Sequence, residues 1–387
     1  MTQIIAAHTA VGDAAEAAED LSQQILSSLG GSPDAVVLFA SSNFDCSALL
    51  RELDRGCAPR ILVGSSSAGE FTDSASGTGT ASALAIRSEE LVLGASLGKG
   101  VGRDPAGAAR ELVQGFAGRA ASRHAYRGAL VMTDALAGHA DTLVECLTLE
   151  TAGRYVLAGG GAGDDARFAR TYVFFGTEVH TDAVVALEIL SSKPIGVGVG
   201  HGWEPASAPL RVTEVNGLRL VGLNGMPAVE AFERHAADGG GSFDRADPLG
   251  FFLHNILGIE TPGGHRLRVP LSVGADGSIQ CAAEVPAQSI VHIMKSSTDS
   301  AAKAATRATV AAVAALGGAP VGGALFFDCV ATRLRMGSDF ALELDSVSEA
   351  LGGSAFVGCN TYGQIARTDR QFSGFHNCTA VVLALPR

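Results

Sequence analysis

Charge is scarce in this chain: Asp, Glu, Lys and Arg together make up 18% of its 387 residues, against 47% hydrophobic residues. So apolar a chain buries large sheets and is not extensively disordered. The charge present is mostly acidic, 28 basic residues against 40 acidic for a net −12. With no basic run and no interleaving of aromatic and basic residues, neither nucleic acid nor anionic lipid is an expected partner. Paired cysteines are also missing. Cys46, Cys57, Cys146, Cys281, Cys329, Cys359 and Cys378 are odd in number, scattered and never spaced Cys-x-x-Cys, which argues against a disulfide framework or a zinc ribbon. No apolar run approaches the roughly 20 residues of a membrane helix, and residues 1–30 lack a basic start followed by an apolar core. A cytoplasmic setting without membrane insertion is therefore expected. Aromatics are few, at 6%, whereas the 49 glycines imply many tight turns.

The apolar residues follow an α/β order. Ala14 to Leu29 has helical spacing with a polar face, and Gly30-Gly31 stops it. The runs Ala35 to Ala40 and Arg60 to Gly64 read as buried strands, the second ending at Ser65-Ser-Ser-Ala-Gly-Glu70. Further strands are expected at Ala81 to Ile86, Leu91 to Leu97, Gly128 to Thr133, Tyr155 to Ala158, Thr171 to Phe175 and Ala183 to Leu190, with helices at Pro105 to Ala121 and Asp141 to Thr151. From Ile195 the texture turns glycine-rich, Ile-Gly-Val-Gly-Val-Gly-His-Gly-Trp203. A hairpin then closes on Asn216-Gly217, and Gly225-Met-Pro227 opens a helix through His235. Strands at Arg266 to Val273 and Ser289 to Met294, an alanine-rich helix from Ser300 to Leu316, and strands at Ala324 to Cys329 and Ser354 to Gly358 follow. No short tandem repeat is found. The expected fold is α/β (α+β), a two-domain layered sandwich of mixed sheets flanked by helices. The division falls near Gly222, giving domains 1–222 and 223–387.

Polar side chains crowd the mouths of strands in the last thirty residues. Val357-Gly-Cys-Asn-Thr-Tyr-Gly-Gln-Ile365 and Phe375-His-Asn-Cys-Thr379 set such groups beside runs that must be buried, which points to a ligand pocket in or beside the C-terminal domain. No phosphate-loop lysine, dinucleotide fingerprint or nucleophile elbow accompanies them.

Seven stretches in order along the chain, Gly64 to Glu70, Gly159 to Asp165, Gly202-Trp203, Asn224 to Ala228, Phe327 to Arg333, Tyr362 to Ile365 and His376 to Thr379, resemble those of FIST proteins, which pair an N-terminal with a C-terminal FIST domain. Two residues depart from the pattern. Ser65 stands where the family often has cysteine, and Gln364 where it usually has a carboxylate. The resemblance implies a soluble sensory protein that binds a small ligand, an amino acid or similar metabolite. It signals to a separate protein such as a histidine kinase or a diguanylate cyclase or phosphodiesterase; homodimerisation is left open. A stand-alone group of relatives looks like haem-binding nitric-oxide sensors, so haem is the alternative cofactor to none.

Each candidate residue has a chemical role. Arg333 holds an anionic group in bidentate fashion, with Asp328 or Asp345 as its competing structural partner. Tyr362 and Gln364 complete a polar rim, and His376 with Asn377 orients the ligand. Cys329 lies near Cys378 if their strands pair. Ser65 and Ser66 turn hydroxyls and backbone N–H groups toward an anion, with Glu70 orienting them. Asp164 and Asp165 read as turn acids. His376 or His201 is the iron ligand on the haem alternative, while His180, His235, His254, His265 and His292 have no partner at metal-ligand spacing. An enzyme reading draws on Ser66, His376 and Asp164, but their spacing completes no catalytic constellation; a non-enzyme is expected.

Overall fold

The computed structural model describes residues 2–119, 124–368 and 374–387. Its local structure follows simple rules. Asp13 starts the helix Ala14–Leu29 by accepting from the N–H groups of Ala15 and Glu16 at 2.9 and 3.1 Å, and Gly30 ends it in the left-handed conformation at φ 64°. The run Ala35–Ser41 is buried at every residue and pairs in parallel with Ile61–Ser67 across the helix Cys46–Cys57, as a strand covered on both faces must.

This order recurs three times. The first unit runs strand Thr2–Thr9, helix Ala14–Leu29, strand Ala35–Ser41, helix Cys46–Cys57, strand Ile61–Ser67, a hairpin of Glu70–Thr72 and Ser76–Gly77, and strand Ala81–Ser88. The second runs Val92–Lys99, Pro105–Gln114, Tyr126–Thr133, Ala140–Glu150, Val156–Gly161, the hairpin Val173–Phe175 with Glu178–His180, and Ala183–Ser191. The third runs Gly196–Gly200, helix Thr298–Ala315, strand Val321–Cys329, helices Val330–Met336 and Phe340–Ala350, strand Phe356–Thr361, the hairpin Gln364–Arg367 with Gly374–His376, and Ala380–Pro386. In each unit the strand order is first, last, second, third. The hairpin leaves its own sheet to pair with the third strand of a neighbour: the first unit gives its hairpin to the third, the third to the second, and the second to the first. The three sheets turn their inner faces together, where Phe39, Leu130, Met132, Leu187, Leu325 and Phe327 share one core. Helices cover the outer faces.

The glycine-rich strand Gly196–Gly200 is explained by the helix against it. A Cβ on Gly196, Gly198, Gly200 or Gly202 would stand 1.9, 1.8, 2.8 or 2.3 Å from the carbonyl oxygens of Ala312, Ala308, Ala304 and Ser300. Two strand residues advance about 6.7 Å and four helix residues about 6 Å. Alternate glycines therefore meet successive helical turns, and the alanine-rich helix lies directly on the strand backbone.

Between this strand and that helix the third unit carries an insertion, a separate nine-stranded sheet running from Glu204–Pro205 to Ile290–Lys295. It has its own core of Val212, Leu220, Phe232, Phe252, Ile279 and Val291. Mixed sheets flanked by helices are as the sequence predicts, arranged as three repeated units with an insertion. Gly222, placed at a domain boundary, lies inside the inserted strand Arg219–Leu223. The exchanged hairpins pair strands from the two halves of the chain. Asn216-Gly217 forms the predicted hairpin turn. The helix from Pro105 ends at Gln114, followed by a 3-10 turn at Ala117–Arg119; its expected end, Ala121, lies outside the described residues. Among the described residues no helix is long and apolar enough to cross a membrane.

Candidate functional site

The three units meet where their third strands end. Gly64, Gly159 and Gly358 hold the same register, opposite Leu38, Val131 and Phe326. A Cβ on any of them would lie 1.8, 1.9 or 2.0 Å from that partner's carbonyl oxygen. Two residues further on, the carbonyls of Ser66, Gly161 and Asn360 accept from the N–H groups of Gly163, Tyr362 and Ala68, each at 3.0 Å. These three bonds close a ring, each unit donating to the next.

The ring is symmetric in backbone but not in side chains. Tyr362 occupies a position held by Ala68 and Gly163 in the other units. Asn360 stands where they have Ser66 and Gly161. Asn360 is fully buried, yet neither its Oδ1 nor its Nδ2 has a hydrogen-bond partner. Close by, Arg333 projects from the helix Val330–Met336, and its buried Nε is also unpaired. Asn360 Oδ1 and Arg333 Nε flank the point where a Cβ on Gly69 would stand, at 2.7 and 3.1 Å. Burial pushes the Arg333 pKa down, while the negative charges of Glu70 and Asp165 and the Tyr362 hydroxyl oppose that shift. Asp165, at φ 57°, accepts from Ser41 and Ser42 through Oδ2 and leaves a buried Oδ1 unpaired. Buried polar groups without partners each cost about 1–3 kcal/mol. Asn360, Arg333 and Asp165 together carry four such atoms, and the Asp165 charge acts on Arg333.

A cleft of about 230 Å³ opens on the other side of Tyr362, between the body and the insertion. Phe168 stacks on the Tyr362 ring at 4.3 Å, and Leu218, Leu253 and Leu271 of the insertion form the facing wall. Asp164 holds this edge in shape by accepting from the Tyr362 hydroxyl and from the N–H groups of Phe168, Ala169 and Arg170. Burial opposes ionisation of Asp164, but these bonds outweigh it and keep the carboxyl below its usual range.

The predicted site residues divide between several places. Cys329, Tyr362 and Asn377 line the cleft. Arg333 and Glu70 lie at the polar point behind Tyr362, and neither Asp328 nor Asp345 pairs with Arg333. Asp328 instead forms a buried pair with Glu343, both carboxyls pushed up by burial. Glu70, also pushed up by burial, to about 7, accepts from Ser67 and from Thr80. Ser66 exchanges bonds with the Tyr172 backbone, and Ser65 is buried beside it with an unpaired hydroxyl. Cys329 and Cys378 do meet, the Cys378 thiol bonding to Cys329 and lowering its pKa despite burial. Gln364 does not form part of a rim: it donates to Thr361 at 2.8 Å and accepts from the Thr379 N–H at 3.3 Å. His376 is buried opposite Gln364 in the exchanged hairpin. Neither His376 nor His201 lines the cleft. Sequence reasoning passed over Asn360 and Phe168 and took Asp165 for a solvated turn acid. The signal available was the match of Gly64-Ser-Ser-Ser-Ala-Gly-Glu70 with Gly358-Cys-Asn-Thr-Tyr-Gly-Gln364.

Known proteins agree with this order of residues. The FIST N domain profile matches residues 34–226 and the FIST C domain profile residues 228–367. Two uncharacterized proteins from two strains of Mycobacterium tuberculosis are each 26% identical over 243 residues, 61% of this chain and 62% of theirs. The chain thus spans under two thirds of the curated relatives it matches. Among solved structures, a cyanuric acid hydrolase from A. caulinodans aligns over the whole of both chains at 8% identity, with a TM-score of 0.37, too loose a likeness to bear on activity.

Proposed function

The chain belongs to the FIST family, whose domains are small-ligand sensory domains of signalling proteins, and from that premise we propose that it senses an amino acid or similar anionic metabolite and reports to a separate effector protein. The observation that carries this reading is the set of unpaired buried atoms on Arg333, Asn360 and Asp165. A ligand carboxylate accepts from Arg333 Nε and Asn360 Nδ2, and its ammonium group donates to Asp165 Oδ1 and Asn360 Oδ1. The side chain of the ligand passes Tyr362 into the apolar cleft. At about 230 Å³ the cleft is smaller than the ~300–1,000 Å³ of pockets for drug-sized ligands, which favours a small metabolite.

One wall of the cleft belongs to the body and the other to the insertion, so a ligand that touches both shifts their relative arrangement. Trp203, the only tryptophan, sits at the base of the insertion with Arg335 over its ring at 5.3 Å, and reports that shift. The effector is a separate histidine kinase or cyclic-di-GMP enzyme that distinguishes the two arrangements. The reading calls for neither haem nor a catalytic step.

Thermal-shift measurements against a panel of amino acids and small carboxylates test it. A ligand at 100 times its Kd stabilises by about 2.7 kcal/mol and changes Trp203 fluorescence. Arg333→Ala weakens binding by about 10- to 100-fold, the worth of a charge-assisted hydrogen bond. The proposal fails if no compound stabilises the protein, or if the hits bind Arg333→Ala unchanged.

A further inference from the structure

We propose that Glu260, His265 and His292 form a binding site for one divalent transition-metal ion, of the zinc class, on the inserted sheet. The three residues come from adjacent antiparallel strands. Glu260 on Ile256–Thr261 lies directly opposite His265 on Gly264–Arg268, and His292 on Ile290–Lys295 pairs with Gly258, two residues from Glu260 and so on the same face. One donor atom from each lies within 4.8 Å of the others. Ligands bound at about 2.0–2.1 Å around a tetrahedral ion stand about 3.3 Å apart. The present separations, from the 2.7 Å between His292 Nε2 and Glu260 Oε1 up to that limit, bracket this spacing and need only side-chain rotation to reach it.

The histidine chemistry fits an ion. His292 Nδ1 lies 3.1 Å from the Ser207 carbonyl oxygen, which can only accept, so the proton sits on Nδ1. This is the arrangement by which a backbone carbonyl fixes a metal-binding imidazole. The lone pair of Nε2 is then aimed at a carboxylate oxygen 2.7 Å away, a contact that is repulsive unless a positive charge lies there. A second proton on the ring can supply that charge, and so can a divalent ion. His265 meets His292 edge to face, with ring centroids 5.4 Å apart at 87°. A neutral ring is the form that binds metal.

Two imidazoles and one carboxylate, without thiolate, suit zinc, cobalt or nickel better than magnesium or calcium. They leave a fourth position for water or an external ligand. Glu260 has 51% of its side chain exposed, so an ion can enter from solvent. The site is separate from the Arg333 cluster and adjoins the start of the insertion, where His201 Nε2 lies 3.2 Å from the His265 carbonyl oxygen. The scarcity of paired ligands along the sequence hid it, because its spacing is set across strands.

The test is calorimetric titration of chelator-treated, tag-free full-length protein with Zn²⁺, and absorption spectroscopy with Co²⁺ as a probe. The expected result is one ion per chain, a rise in Tm with Zn²⁺, and Co²⁺ d–d bands of a low-coordinate N/O site. Glu260→Gln and His265→Ala each weaken binding about 10-fold or more, whereas His254→Ala leaves it unchanged. Because Glu260 is exposed, Glu260→Gln keeps the test valid even if substitution of the buried His292 unfolds the sheet. Absence of stoichiometric binding overturns the proposal, as does binding that Glu260→Gln and His265→Ala leave unaltered, which would mean an adventitious ion only.

Discussion

The first and third units end their third strands on the same scaffold but with different chemistry. Glu70 and Gln364 occupy matching places, six residues after Gly64 and Gly358, and their partners match too. Glu70 accepts from Ser67 and Thr80, whereas Gln364 donates to Thr361 and accepts from Thr379. With its pKa raised to about 7 by burial, Glu70 is substantially protonated near neutrality and close in bonding to an amide. Both side chains are held at this position by hydrogen bonds with their own unit. Gln364, a departure from the family pattern, makes its hydrogen bonds within the protein, to Thr361 and from Thr379. The side chains of the two units differ nearby: Asn360 and Tyr362 in the third, against Ser66 and Ala68 in the first.

The largest expected effect comes from breaking what the units share. Gly64→Val, Gly159→Val or Gly358→Val drives a side chain into a neighbouring carbonyl, and each should cost more than about 4 kcal/mol. Chemical denaturation, or loss of soluble protein, measures it. A variant near wild-type stability would show that the unit concerned is not equivalent to the others.

Exchanging the differing pair sharpens the comparison. The folded-state pKa of Glu70, about 7, exceeds the ordinary 4.5, so the folded protein holds this proton more tightly than the unfolded chain. Its stabilisation is full below pH 4.5 and is lost as pH rises through 7, a change on the order of 3 kcal/mol. Glu70→Gln should remove that part of the pH dependence, and Gln364→Glu should add a similar loss. Denaturation midpoints between pH 4 and 8 check both; superimposable profiles for wild type and Glu70→Gln would refute the account. The smallest effect is expected of Tyr362→Phe, which deletes the hydroxyl donated to Asp164. It should cost about 1–2 kcal/mol and leave the Phe168 stack in place, as ring-current shifts in NMR spectra would report.

Much of the secondary structure could be read directly. Gly30 ends a helix, Ala35 to Ala40 is a buried strand, and Asn216-Gly217 turns a hairpin, each by local chemistry. The glycine-rich change at Ile195 was also visible; it marks a strand lying against a helix backbone and the approach to an insertion. The helix carrying Arg333 escaped notice because the strand Val321–Cys329 runs into Val330–Met336 with no intervening loop, its one local signal being Asp328, which accepts from the Cys329 N–H and the Thr332 hydroxyl. The threefold order was hidden because the repeat is signed by few residues and its third copy is split by the insertion. Asn360 and Asp165 could not be recognised from sequence, since being unpaired is a property of three strand ends that converge only after folding.

The hairpins passed around the ring have a consequence for any single unit taken alone. Residues 2–88 by themselves would present an open edge along Ile61–Ser67 and a donor hairpin, Glu70 to Gly77, which in the protein never pairs with that edge. One copy has no means of joining the two, but three copies arranged head to tail do. The fragment should therefore assemble as a homotrimer, in which separate molecules stand in for the successive thirds of the natural chain.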